Sequence, residues 1–369
     1  MSKKVCHITT VHPRFDTRIF HKECMSLSKK YEMHLIVADG LGDEKKNDIH
    51  IHDIGLRQTS RLKRAKIDTN KAFIKALELN CDLYHLHDPE LIKIGVKLKK
   101  AHYKVIYDVH EDLPLQIYAK PYLHKFVKPL LSKFIEWHEN KAAKQLDCIC
   151  TATPFIQKRF LKVNKNSVDI KNYPILGELN NDNDWEKKKD EVCYIGGITK
   201  VRGIKEMIQA IELTQNITLH LVGSFSETDI ETEVKSYHGW EKVKEAGFLN
   251  RNGVAKVLNS AKAGLVTLHP IINYQDALPV KMFEYMIAGI PVISSNIPLW
   301  QTIIDENKCG ICVNPFDIKE IAQAIEFLVS NPKEAKKMGE NGRIAIQEKY
   351  NWSIEEKKLF RVYHQLLNE

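Results

Sequence analysis

VCYIGGITKVRGIKEMIQAI, residues 192–211, is the stretch from which the fold is read. Val192 to Ile195 form a short run of β-branched and aromatic residues, the pattern of a buried strand. Gly196 and Gly197 open a turn, and Ile204, Met207, Ile208 and Ile211 then recur at the i, i+3, i+4, i+7 spacing of an amphipathic helix. Strand, glycine turn and helix N-terminus make an anion cradle, because glycine lets backbone N–H groups come close to a phosphate. By itself a Gly-Gly turn is weak: most such turns only connect elements.

Outward from this unit the same alternation runs through the chain. Strands are expected at 5–9, 33–38, 49–54, 83–87, 104–109 and 148–151 before it, and at 218–222, 264–268, 291–294 and 311–313 after it. Between them lie helical patterns, one with Ile19, Phe20, Cys24 and Leu27 on a single face, another with Ile318, Ile321, Ile325 and Leu328. A last helix is expected at 353–367. The polar stretch GELNNDNDWEKKK, residues 177–189, breaks the alternation and reads as a linker. The expectation is an α/β chain of two Rossmann-like, doubly wound domains facing across a cleft: 1–176, a linker at 177–190, 191–350, and a terminal helix at 351–369. Ligands of such sheets sit at the carboxyl ends of the strands.

Length and composition agree. A chain of 369 residues exceeds one comfortable core, and 43% hydrophobic with 28% charged residues is ordinary for a globular protein. No apolar run reaches the roughly 20 residues of a membrane span, and the start lacks the apolar stretch of a signal peptide. Eight cysteines scattered without CxxC pairs suit a reducing cytoplasm. A net charge of +8 is too mild for nucleic-acid binding, and no RNA-binding motif accompanies it. It suits a phosphate-bearing ligand or an anionic membrane surface.

Chemistry concentrates in DALPVKMFEYMIAGIPVISS, residues 276–295. Pro279 suits the first turn of a helix and Gly289 its stop. Met282, Phe283, Met286, Ile287 and Ala288 are apolar, whereas Lys281 and Glu284 share one face of a helix that should be buried. A buried carboxylate needs hydrogen bonds. Ribose hydroxyls would satisfy Glu284 and a phosphate Lys281; an intrahelical Lys281–Glu284 ion pair is the equal alternative.

A carboxylate at Asp276, seven residues, Glu284, then Ala288-Gly-Ile-Pro-Val-Ile293 resembles the donor-site motif of glycosyltransferase family 4, which has the GT-B fold. The opening HITTVHPRFDTRIFHKECMSLSKKY, residues 7–31, is similar to a subgroup of that family, and the likeness spans nearly the whole chain. The resemblance implies a retaining, metal-independent transferase that moves a sugar from a nucleotide-diphosphate donor, UDP by family frequency, to a glycan or polyprenyl-linked acceptor. In a bacterium the product would be a surface polysaccharide or lipopolysaccharide. It implies ribose binding by Glu284 and sugar hydroxyl contacts by Asp276, where the family usually has the longer glutamate. The turn resembles G-R-x-x-x-x-K-G with Arg202 at the second cation and Gly197 in place of the first, so Lys281 is the expected substitute on the diphosphate, backed by N–H groups near Gly196 and Gly197. Lys200 is a weaker candidate. No cofactor is implied beyond the donor itself. The resemblance also implies that the terminal helix packs back on the N-terminal domain.

Two more strand ends are polar: His87-Asp88 and His110-Glu111-Asp112. The resemblance implies that His110 meets the donor sugar and leaving phosphate. His87, Asp88 and Glu111 join Asp16 and Arg18 as expected cleft-edge residues, although Asp16 equally suits a helix cap. No HxH or HExxH falls on a helix, and no metal is expected. Residues 117–146 interleave Lys120, Lys125, Lys128, Lys133, Lys141 and Lys144 with Tyr, Phe, Leu and Trp, and 57–66 is also basic. A helix covering the sheet or peripheral contact with an anionic membrane both fit, and the protein is expected in the cytoplasm, at the inner face of the membrane in the second case. Two rival functions remain. A GT-B nucleotide-sugar 2-epimerase would turn over donor without acceptor, and a non-catalytic subunit would only bind it.

Overall fold

The computed structural model describes residues 3–118, 120, 123–179 and 184–368. The chain forms two compact units, Met1–Asn172 with Trp352–Glu369, and Tyr173–Asn351. The first carries strands β1 (Lys4–Ile8), β2 (Glu32–Val37), β3 (Glu44–Lys46), β4 (Ile49–Asp53), β5 (Leu83–Leu86), β6 (Lys104–Val109), β7 (Cys148–Thr151) and β8 (Ser167–Asp169). They form one sheet in the order β3-β4-β2-β1-β5-β6-β7-β8. All neighbours are parallel except β3 with β4.

The second unit carries β9 (Glu191–Ile195), β10 (Thr218–Val222), β11 (Val243–Gly247), β12 (Ala263–Val266), β13 (Val292–Ser295) and β14 (Gly310–Val313). Their order, β11-β10-β9-β12-β13-β14, is the 3-2-1-4-5-6 arrangement of a doubly wound Rossmann sheet. Without its two edge strands the first sheet has the same arrangement. Each therefore has a switch point, between β1 and β5 in one unit and between β9 and β12 in the other.

Helices with the expected apolar faces cover both sheets. Ile19, Phe20, Cys24 and Leu27 are fully buried, as are Ile204, Met207, Ile208 and Ile211. The first of these helices also buries Lys22 and Glu23 and runs through a wider turn at Ile19–Cys24. Three strands escape the sequence pattern. β3 (EKK) is exposed and charged, β11 (VKEAG) is mostly exposed, and β8 (SVD) has three residues. All three are edge strands, where one side faces no partner and the apolar signal lapses.

The unit boundary lies four residues earlier than expected, because Tyr173 is buried against the rings of Phe283 and Tyr350 at 4.8 and 5.5 Å. Within the expected linker, 180–183 lie outside the described residues, and Trp185–Lys187 form a single helical turn. The terminal helix, Trp352–Asn368, belongs to the first unit. Its Trp352 Nε1 donates to Ser26 Oγ at 2.9 Å, and Tyr363 is fully buried among histidines.

Candidate donor site and histidine cluster

In the second unit the helix Val280–Ile287 begins after Pro279, which acts as its N-cap, and ends at Gly289 with φ +71°. Met282, Phe283, Tyr285 and Met286 are buried to 1% or less. Each such side chain contributes roughly 1.5–3 kcal/mol, which pins the helix to the sheet. Tyr285 sets the register: its ring fills the space where Gly264 of β12 lacks a side chain, and its hydroxyl accepts from Ile195 N at 3.0 Å. Lys281, one turn earlier, is thereby fixed beside the end of β9.

That end is the glycine turn. Gly196 has φ +134° and Gly203 +79°, values that favour glycine. A Cβ on Gly203 would lie 2.1 Å from Thr267 O, so the 196–203 loop presses on the end of β12, at the switch point. A Cβ on Gly197 would meet Arg202 Nη1 at 2.8 Å, and a Cβ on Gly196 would meet Lys281 Nζ at 3.1 Å. The absence of a first arginine in the turn has a geometric counterpart. Gly197 leaves room for Arg202 to fold back, donating to Gly197 O at 2.9 Å.

Two cations thus converge on one glycine turn. Lys281 Nζ is buried, has no hydrogen-bond acceptor among the described residues, and lies 3.6 Å from the centroid of the Tyr194 ring. Burial, reinforced by Arg202, holds its ammonium well below the usual lysine range, with Glu284 pulling the other way. The i, i+3 ion pair with Glu284 does not form. Glu284 is 9% exposed and accepts from Arg251 Nη1 at 2.5 Å, while Arg251 Nη2 reaches Glu178 at 3.0 Å. Arg251 was not among the expected residues. It opens the helix Arg251–Ser260, and only the tertiary fold brings it to Glu284. Asp276 is partly buried at the end of the short helix Ile272–Gln275. Lys200 is exposed.

In the first unit His87 and His110, at the ends of β5 and β6, meet, together with Arg18, at Asp108. Arg18 Nε and Nη2 donate to its two oxygens at 2.8 and 2.9 Å, and Nη1 donates to Ile170 O at 2.7 Å. Arg18, expected at the cleft edge, is 4% exposed with Nε, Nη1 and Nη2 engaged. Asp16 caps the following helix, accepting from Arg18 N and Ile19 N at 2.8 and 2.9 Å. Asp88 is likewise buried and accepts from Thr10 N and from the hydroxyls of Thr9 and Thr10. All three are engaged in hydrogen bonds within the first unit. Glu111 is exposed and His110 partly so.

His110 Nε2 and His87 Nδ1 lie 2.9 and 3.2 Å from the same Asp108 oxygen. His87 Nε2 is 2.8 Å from His7 Nδ1, and His7 Nε2 is 2.7 Å from the Tyr363 hydroxyl, which also meets His85 Nδ1 at 2.9 Å. Burial opposes ionisation of Asp108, but Arg18 and His110 hold it well below the usual carboxylate range. Burial lowers His7, His85 and His87 well below the usual imidazole range. Ligand-type atoms of His7, Glu23, His85 and His87 lie within 4.8 Å of one another. A second such group, His87, Asp108 and His110, shares His87 with it.

A family model described as glycosyl transferases group 1 matches residues 177–345, nearly all of the second unit. A protein in the cps region of Klebsiella pneumoniae is 24% identical over 281 residues, 69% of this chain and 71% of that one. The capsular polysaccharide biosynthesis glycosyltransferase CapM of Staphylococcus aureus is 23% identical over 187 residues, about half of each chain (48% and 47%). The structure of Anabaena HepE in complex with UDP-glucose superposes with TM-score 0.75 at 14% identity, covering 98% of this chain and 99% of HepE. The fold is the GT-B architecture, a pair of Rossmann-like units as in HepE. More particularly, residues 177–345 are similar to the glycosyl transferases group 1 family, and one relative, CapM, is named for capsular polysaccharide biosynthesis.

Proposed function

We propose that this chain transfers a sugar, with retention and without a metal, from a UDP-sugar to a glycan or lipid-linked acceptor of a surface polysaccharide or lipopolysaccharide. The observation that carries the proposal is the buried ammonium of Lys281, which lacks an acceptor and sits beside the Arg202 guanidinium on the Gly196-Gly197 turn. A buried cation without an acceptor is costly, and a second cation nearby adds to the cost. An anion entering the turn relieves both. A diphosphate meets the two cations together with the turn's N–H groups, and the same contacts stabilise it as a leaving group. Glu284, one turn beyond Lys281, takes the ribose in this reading, exchanging its bond to Arg251 for hydroxyl donors. Asp276 orients the sugar, and His110 is the reacting-side group of the first unit. These roles follow the family resemblance. The UDP-glucose bound to HepE supports the choice of nucleotide.

The same reading places the protein at an anionic membrane. The helix Val127–Ala143 exposes Leu130, Phe134 and Trp137 at 73, 60 and 56%, and Phe126 just before it at 71%. These four recur every three or four residues and make one apolar stripe, flanked by Lys125, Lys128, Lys133 and Lys141. Apolar side chains with adjacent cations match an anionic bilayer surface. In the second basic stretch, by contrast, Arg64 is engaged with Glu90 at 2.7 Å. Among the described residues no helix is long and apolar enough to cross a membrane.

Thermal-shift screening against nucleotide sugars tests the donor assignment. A donor at 100 times its Kd should stabilise the chain by about 2.7 kcal/mol, UDP-sugars should outperform those of other bases, and Glu284→Ala should forfeit about 1.5–3 kcal/mol of that affinity. A panel without any stabilising nucleotide sugar would reject the function. Donor consumed without acceptor would favour the epimerase.

A further inference from the structure

The hydrogen bonds around Asp108 have one consistent direction. We infer that Asp108, His87, His7, Tyr363 and His85 form a buried one-way chain of hydrogen bonds that fixes His110 with its proton on Nε2, leaving Nδ1 as the atom it offers to substrate. The inference goes beyond the proposed function and rests on it only for the identity of that substrate.

The direction follows from counting protons. Asp108, doubly bonded by Arg18, is a carboxylate and only accepts. His87 Nδ1, 3.2 Å from it, must therefore carry hydrogen. A neutral imidazole has one N–H, so His87 Nε2 is a lone pair and accepts from His7 Nδ1 across 2.8 Å. His7 Nε2 is then bare and accepts the Tyr363 O–H at 2.7 Å. The Tyr363 oxygen, its proton committed, accepts from His85 Nδ1 at 2.9 Å. His85 Nε2 is left as a lone pair, and among the described residues it is the buried nitrogen of the cluster without a hydrogen-bond partner. Reversing the His7–His87 link would aim the bare His87 Nδ1 at the Asp108 carboxylate, and reversing a link further along would set two lone pairs face to face.

His110 joins at the anchored end. Its Nε2 faces Asp108 at 2.9 Å and His87 Nδ1 at 3.3 Å. Were His87 reversed, its bare Nδ1 would compete with Asp108 for the His110 proton. With the chain directed as above, His110 has one acceptor, and its neutral form meets substrate as an acceptor at Nδ1. Asp108, His87, His7 and Tyr363 are then positioning residues, Tyr363 acting from the terminal helix, 278 positions from His85 in sequence.

Long-range proton–nitrogen NMR of the ¹⁵N-histidine-labelled, donor-free chain tests this. His7, His85 and His87 should be Nδ1–H tautomers and His110 Nε2–H. Either His7 or His87 found as Nε2–H or as imidazolium, or one metal ion retained per chain by elemental analysis, would overturn the chain. Tyr363→Phe should change the tautomer of His85 alone and leave His87 and His110 as they were, because the direction is set at Asp108. A change at His110 in that variant would place the control at the wrong end. Adding UDP-sugar is a separate arm: an unmoved His110 Nδ1 signal would count against the donor role of His110 and leave the chain's direction standing.

Discussion

At the scale of single residues the decisive group is Lys281. Its ammonium is held well below the usual lysine range, so a bound diphosphate that supplies acceptors must raise it again. Between the two values binding takes up a proton. Calorimetry of UDP binding at alkaline pH, in two buffers of different ionisation heat, should show net uptake that disappears in Lys281→Met. Uptake that persists in the variant would assign the proton elsewhere. Lys281 and Glu284 were legible in the sequence because two charged residues on an apolar helix need a reason. Arg251 and Arg18 were not, in opposite senses. Arg251 meets Glu284 across 33 residues, and Arg18 is drawn inside by Asp108, 90 residues away. Local pattern carries neither distance.

At the scale of elements, the glycine turn is held by backbone contact. Gly203 combines φ +79° with a Cβ position 2.1 Å from Thr267 O, which cannot swing aside. Gly203→Ala should cost roughly 1–3 kcal/mol, read as a lower denaturation midpoint, and should weaken nucleotide binding more than alanine at the exposed Lys200. Equal effects would mean that the turn does not shape the site. The helix Arg251–Ser260, which presents Arg251, ends on Lys188, whose Nζ donates to the carbonyls of Leu258, Asn259 and Ala261 at 3.1, 3.1 and 2.9 Å. Lys188→Met should destabilise the chain by about 1.5–3 kcal/mol, checked by urea unfolding; an unchanged midpoint would show those carbonyls satisfied without it. Central strands and their helices were readable because burial on both faces writes continuous apolar runs. β3, β8 and β11 were not, since a sheet edge imposes little on side chains.

At the scale of the molecule, the proposed membrane contact draws on both the +8 charge and the stripe on Val127–Ala143. The intact chain should float with vesicles containing phosphatidylglycerol, remain behind with phosphatidylcholine alone, and detach as salt rises. Leu130→Glu with Phe134→Glu should abolish flotation while leaving UDP affinity unchanged. Binding that survives both substitutions would put the contact elsewhere. The sequence showed the lysines and aromatic residues of this segment; which of them face outward depends on what the sheet leaves uncovered, and that is a property of the folded unit.

The central claim is that Lys281 is kept, at a cost to the empty protein, in order to hold a diphosphate. Comparing the UDP affinity and the ligand-free unfolding midpoint of the wild-type chain with those of Lys281→Met tests it most directly. Affinity should fall roughly 10- to 100-fold, the equivalent of a charged hydrogen bond worth about 1.5–3 kcal/mol, while the empty variant unfolds at a higher midpoint. Undiminished UDP affinity, or a less stable empty variant, would contradict it.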